Sequence, residues 1–105
     1  MAKGILLVST NPASPEQEDE YNDWYNNVHL KEVLTVDGFV SARRFKTVND
    51  DGGSQYVAIY EIDGDPQLAM KALGESTGKF NMSASLQLDP PPQMRLLETI
   101  FDTDG

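Results

Sequence analysis

His29 is the one histidine in a chain of 105 residues. It stands near the end of the run Tyr21-Asn22-Asp23-Trp24-Tyr25-Asn26-Asn27-Val28-His29-Leu30, which holds three of the nine aromatic side chains. Imidazole can both give and take a proton near neutrality, so in an apolar cleft it could serve as a general acid and base. Tyr25 lies four residues earlier, one turn along a helix, and the two side chains can reach one cavity wall. Its phenol could donate a hydrogen bond to a carbonyl or enolate oxygen. The same residues also have plainer uses. Tyr21, Trp24, Tyr25 and Val28 follow the i, i+3, i+4, i+7 spacing of a buried helical stripe, and a histidine at a helix end can simply bond a carbonyl.

Arg43 and Arg44 are the second candidate source of chemistry. A strand over residues 39–47 puts Phe39, Ser41, Arg43 and Phe45 on one face and Val40, Ala42, Arg44 and Lys46 on the other. With both faces covered, at least one guanidinium must find a carboxylate, Glu61 or Glu98, or else bind an anionic or enolate oxygen. Arg43 is the favoured candidate because it shares its face with Phe39 and Phe45. Tyr56 and Tyr60, on a neighbouring strand, could line the same cavity, with Trp24 added from the helix. The candidate set is therefore His29, Tyr25 and Arg43 as catalytic residues, with Trp24, Phe39, Phe45, Tyr56 and Tyr60 as substrate-binding residues.

Composition narrows the classes. A net charge of -9 with eight scattered Lys and Arg argues against a nucleic-acid partner, which needs clustered cations. The chain has no cysteine, hence no thiolate nucleophile or Cys-ligated metal. A lone histidine without a second ligand at metal spacing makes a poor transition-metal site. Haem is a minor alternative that would need an axial donor and room for the macrocycle. No Gly-rich phosphate loop and no nucleophile elbow occurs. No leader pattern or apolar run of membrane-spanning length is present, so a cytoplasmic protein without a membrane partner is expected.

The elements that would hold these residues read in order. Residues 4–10 form an apolar run expected as a strand buried on both sides. Ser14-Pro15-Glu16-Gln17 supplies an N-cap, a proline at the first helical position and a capping-box glutamine. The acidic run Glu16, Glu18, Asp19 and Glu20 then suits the positive end of the helix dipole. The apolar stripe loses phase at His29, because Leu30, Val33 and Leu34 fall on another side at about 100° per residue. A kink or break there would turn those three toward the core and leave His29 at the joint. Asp37-Gly38 ends the helix, residues 48–54 connect two strands, and residues 55–62 put Tyr56, Ala58, Tyr60 and Ile62 on one face. Asp65 caps a second helix over residues 66–76, with Leu68, Ala69, Ala72 and Leu73 inward. Residues 78–93 form a proline-rich loop that Phe80, Met82, Leu86 and Leu88 should pin to the body or to a partner, and residues 94–102 form the last strand.

This order is that of a one-domain α+β, ferredoxin-like βαββαβ sandwich with an antiparallel sheet, spanning residues 1–105. Two helices cover one sheet face. The strands are too apolar for the other face to stay bare, so a second subunit should cover it, giving a closed two-sheet barrel.

The aromatic run ending in His29, followed by Val33-Leu34, Asp37-Gly38-Phe39 and Ala42-Arg43-Arg44-Phe45, resembles the dimeric α/β-barrel superfamily and within it the EthD-like group. The likeness is good over residues 4–62 and topological beyond them. It departs at Lys31 and Asp37, where relatives often carry proline. The resemblance implies a homodimer with a cleft in each subunit between the sheet and the first helix. It also implies one of several reactions: cyclisation, isomerisation, dehydration, decarboxylation, cofactor-free oxygenation or haem chemistry. Fold does not choose among them. The expected function is cofactor-free proton transfer on a small apolar carbonyl or phenolic compound. The alternative is an accessory protein that binds a metabolite without catalysis.

Overall fold

Alternation of burial along the first strand shows how the sheet is used. In β1 (Lys3–Thr10) Leu6, Val8 and Thr10 are buried, while Ile5, Leu7 and Ser9 are half-buried. Within one chain the strand is therefore fully covered on one face, and Ile5, Leu7 and Ser9 lie half-buried on the other. In this computed structural model residues 3–48, 56–88 and 91–103 are described, and the 48–54 connection lies almost wholly outside them. The other strands are β2 (Phe39–Lys46), β3 (Tyr56–Asp63) and β4 (Gln93–Glu98), in the antiparallel order β2-β3-β1-β4. This is the expected ferredoxin-like α+β sandwich. β4 stops at Glu98, four residues sooner than expected, and Ile100 and Phe101 are exposed.

The helical layer begins with a tight turn at Pro15–Gln17 and continues as α1 (Glu18–Trp24). Ser14 makes no side-chain bond to a backbone N–H; its hydroxyl donates to Gln17 Oε1 at 2.9 Å instead of completing a capping box. Of the kink or break expected at His29, the break does not occur. A wide π turn over Tyr25–His29, with the Leu30 N–H bonded to the Tyr25 carbonyl, carries the helix unbroken into α2 (Leu30–Val33).

The phase loss is real, and the wide turn resolves it. Residues four apart drift by about 40° per step on a regular α-helix. Closing an i→i+5 ring absorbs one extra residue and turns the later positions back. Tyr21, Tyr25 and Val33 are all buried, with His29 between them on the same line, whereas Leu34 faces solvent.

The second helix, α3 (Pro66–Ser76), starts where Asp65 accepts a bond from the Gln67 N–H at 2.9 Å. It buries Pro66, Ala69 and Leu73, with Leu68 outward. Gly38 enters β2 with φ +99°, and a Cβ there would meet Ala69 Cβ at 2.8 Å. The turn thus needs glycine for both its backbone and its closeness to α3.

A β-bulge decides which arginine faces the helices. Phe39 pairs with Ile62, but Ser41 pairs with Glu61, so Val40 is an extra residue that reverses the alternation. Phe39 therefore joins Ala42, Arg44 and Lys46 on the helix side, opposite Ile62, Tyr60, Ala58 and Tyr56, while Ser41, Arg43 and Phe45 face the open side.

Candidate functional site

Between the sheet and the first helix lies a cavity of about 200 Å³. Leu6, Val8 and Thr10 of β1 and Tyr60 of β3 form its floor. Tyr25, His29 and Val33 form one wall, and Leu73 and Thr77 another. Phe80, Met82, Leu86 and Pro92 close it from the loop. That loop is tied to the β1–α1 connection: the Ala13 N–H donates to the Ser85 carbonyl at 2.6 Å and the Gln87 N–H to the Asn11 carbonyl at 3.0 Å. The lining is mostly apolar with a few convergent polar groups, the usual make-up of a small-molecule pocket.

His29 sits in an aromatic box. Trp24 stacks on it at 4.7 Å between ring centroids, and Tyr25 and Phe80 meet it edge-on at 5.1 and 6.0 Å. Nδ1 is buried and bonded to nothing in the structure. Burial holds the imidazole below its ordinary pKa of 6.5, opposed by nearby Glu32 and reinforced by the charge of Arg44. Glu32 is itself engaged: its carboxylate accepts from the Asn81 N–H at 3.0 Å and from Asn81 Nδ2 at 3.1 Å. Trp24 Nε1 donates to the Asn81 carbonyl at 2.7 Å, which fastens the loop over the imidazole.

The lowered pKa has a sign in stability. Between the folded pKa and 6.5 the unfolded chain binds the proton that the folded chain refuses, so stability rises with pH across that window. The melting temperature is expected to fall as pH drops below about 6.5. A His29→Phe variant should lack this component of the slope, as thermal melts of both proteins at a series of pH values would show.

The hydroxyls form a second polar group. Tyr21 bonds the Thr10 hydroxyl. Tyr60 Oη is buried and makes no hydrogen bond of ordinary length, but the Tyr25 phenol lies beside it and interacts with it. Burial pushes the Tyr25 phenol up and the Tyr60 phenol further, so both stay protonated donors.

Of the residues singled out from sequence, His29, Tyr25 and Tyr60 come together on the cavity, and Trp24 backs His29. Four others do not line it. Arg43 lies on the open face, its side chain 62% exposed, and pairs with Glu61 at 3.3 Å. Phe45 is on that face too and 48% exposed. Both misplacements follow from the bulge at Val40. Phe39 is core, edge-on to Tyr60 at 6.2 Å, and the Tyr56 hydroxyl bonds the Glu18 carboxylate away from the cavity. The arginine next to the site is Arg44, whose guanidinium lies 4.3 Å from the centre of the Tyr25 ring. Pairing Arg44 with the Tyr56–Tyr60 face was the signal available for it. Thr10 gave none. Among the described residues no cluster of three His, Cys, Asp or Glu could hold a metal, and no helix is long and apolar enough to cross a membrane.

Residues 5–70 match the sequence model of a family described as a domain of unknown function, DUF4286. The core atranone cluster (CAC) protein 1 of Stachybotrys chlorohalonatus is 37% identical over 60 residues, 56% of this chain and 26% of that protein. The chain thus spans about a quarter of the length of this curated relative. A putative monooxygenase from Shewanella loihica PV-4 has a similar structure, with a TM-score of 0.62 at 12% identity over 97% of this chain and 99% of that one. An ethyl tert-butyl ether D (EthD) family protein from Bacillus halodurans C-125 also gives a TM-score of 0.62, at 16% identity over 95% and 100% of the two chains. The chain thus shares the ferredoxin-like fold of these two structures.

Proposed function

Since the chain belongs to the DUF4286 family, whose description assigns no activity, its chemistry has to be read from the site, and we propose a cofactor-free enzyme that moves a proton on a small apolar carbonyl or phenolic compound. The observation that carries this reading is His29: a largely buried imidazole on the wall of an apolar cavity, with Nδ1 enclosed and unbonded. Being held neutral at physiological pH, it is ready to accept a proton through Nε2. Its apolar surroundings disfavour the imidazolium, so the proton is readily returned. The Tyr60 and Tyr25 hydroxyls, which lie beside one another on the cavity, would donate to the oxygen on which charge develops. In the step C–H gives its proton to Nε2 and its electron pair to the enolate, and the imidazolium then gives the proton back. A cavity of about 200 Å³ suits a single ring and is too small for a porphyrin. The relative named for the core atranone cluster fits a place in small-molecule metabolism.

The second reading, metabolite binding without catalysis, is favoured by the stacking of His29 on Trp24, which could serve packing alone. Exchange of α-protons of single-ring aryl ketones with D2O separates the two. The wild type should speed exchange over buffer and His29→Gln should not; equal rates for the two proteins, with the ketone bound to both, would eliminate proton transfer by His29.

We also read the protein as a cytoplasmic homodimer whose open sheet faces meet. Ile5, Leu7, Val57, Ile59 and Leu97 form a half-buried apolar patch there, the kind of surface that a partner covers. Ile59→Glu is expected to convert a dimer into a monomer by light scattering, and an unchanged mass would exclude this face as the interface.

A further inference from the structure

Arg44 is half-buried, yet among the described residues its hydrogen-bond partners are neutral. Nη1 donates to Asn26 Oδ1 at 2.8 Å and Nη2 to Asn22 Oδ1 at 3.0 Å, while Nε is enclosed and bonded to nothing. The guanidinium carbon lies 4.3 Å from the Tyr25 ring centre and 5.3 Å from those of Tyr21 and Tyr56. Among the described residues the ion pairs are Arg43–Glu61 and Lys46–Glu18, and neither includes Arg44. In a chain of net charge -9, a partly desolvated cation without a carboxylate is costly unless its charge is used. Asn22 and Asn26, one turn apart on the helix, aim the fork without neutralising it.

We infer that Arg44 makes the cavity selective for a ligand whose oxygen carries or develops negative charge, a phenolate or enolate, by placing an unneutralised guanidinium beneath the Tyr25 ring that walls the cavity. The inference rests on the cavity being the binding site proposed above. The titratable groups around it are consistent with the role. Tyr21, Tyr25 and His29 from the helix and Tyr56 and Tyr60 from β3 surround the charge or the cavity, and Glu32 beyond His29 is occupied by Asn81. The positive charge acts on His29, Tyr25 and Tyr60 alike, favouring the deprotonated form of each. Arg44 touches no cavity space itself, so it is a positioning and selecting residue that works through the Tyr25 ring.

The test compares two probes of nearly equal shape, 4-nitrophenol at a pH where it is ionised and 4-nitrotoluene, which is always neutral. Binding of both is measured by calorimetry to wild type, Arg44→Gln and Arg44→Lys. Gln keeps a hydrogen-bonding group near Asn22 and Asn26 without the charge, and Lys keeps the charge. Removing one charge acting across a ring at a protein-like dielectric should weaken nitrophenolate binding roughly tenfold in Arg44→Gln. Nitrotoluene binding should stay within about twofold, and Arg44→Lys should recover most of the nitrophenolate affinity. The apparent pKa of bound nitrophenol, read from its absorbance, should rise by about one unit in Arg44→Gln. Equal losses for both probes, or no loss for either, would overturn the charge role while leaving the site reading intact. If neither probe binds the wild type, both the charge role and the site reading fall. If Arg44→Gln fails to fold, the Lys variant still decides, because a structural fork predicts equal losses for both probes and a charge role predicts retained nitrophenolate selectivity.

Discussion

His29→Gln is expected to lower turnover by a factor of roughly a hundred to ten thousand, the range a positioned general acid or base contributes. Glutamine approximates the size of imidazole and its hydrogen bonding but does not take a proton, so the loss should appear in kcat with ligand affinity little changed. The pH profile should carry the same signature. Burial holds the imidazole below 6.5, so the wild-type rate should be flat through neutrality and fall only on the acid side. A profile that rises through pH 7 would assign the titrating group elsewhere. Retention of the wild-type rate in His29→Gln would make the Trp24–His29 stack packing and leave metabolite binding as the function.

Tyr21→Ala is expected to cost about 3–5 kcal/mol of folding stability, the range for emptying a buried aromatic site. Tyr21 is fully buried. It meets Tyr25 edge-on at 5.5 Å and Tyr56 at 5.2 Å, bonds the Thr10 hydroxyl and sits against Arg44. Truncation leaves a cavity and strips Thr10, itself buried, of its partner. For a small domain such a loss is a large share of the total. Tyr21→Phe, which keeps the ring, should cost only about 1 kcal/mol. Urea unfolding of the two variants measures both values, and equal midpoints would show that the ring contributes nothing beyond its hydroxyl.

The order of elements was readable because each depends on local signals: the apolar run of β1, the Asp65-Pro66 start of α3, and the alternation of Tyr56, Ala58, Tyr60 and Ile62. The loss of phase at His29 was also visible, but its form was not. A break and a π turn both absorb an extra residue, and the choice depends on what the helix packs against. The four-residue spacing of Tyr21, Tyr25, His29 and Val33 was the overlooked clue. Only Phe39 was put on the wrong face of β2, because a one-residue bulge has no fixed sequence mark; Ser41, Arg43 and Phe45 do share a face, but it is the open one, which leaves Arg44 beside the cavity. Phe80 and Leu86 were expected to anchor their loop. That they also close the cavity over His29 is a contact between segments about fifty residues apart, which no local pattern contains.

By itself, then, the sequence determined the ferredoxin-like order of elements, the apolar character of the helix–sheet interface and the singling out of His29, because periodicity, capping and residue chemistry act within a few positions. Tertiary structure alone decided that His29 is boxed by Trp24, Tyr25 and Phe80, that Tyr60 and not Phe45 lines the same cavity, and that Arg44 supplies the nearby charge. Those outcomes turn on strand register, a bulge and loop packing, where a shift of one residue reverses a face at little local cost.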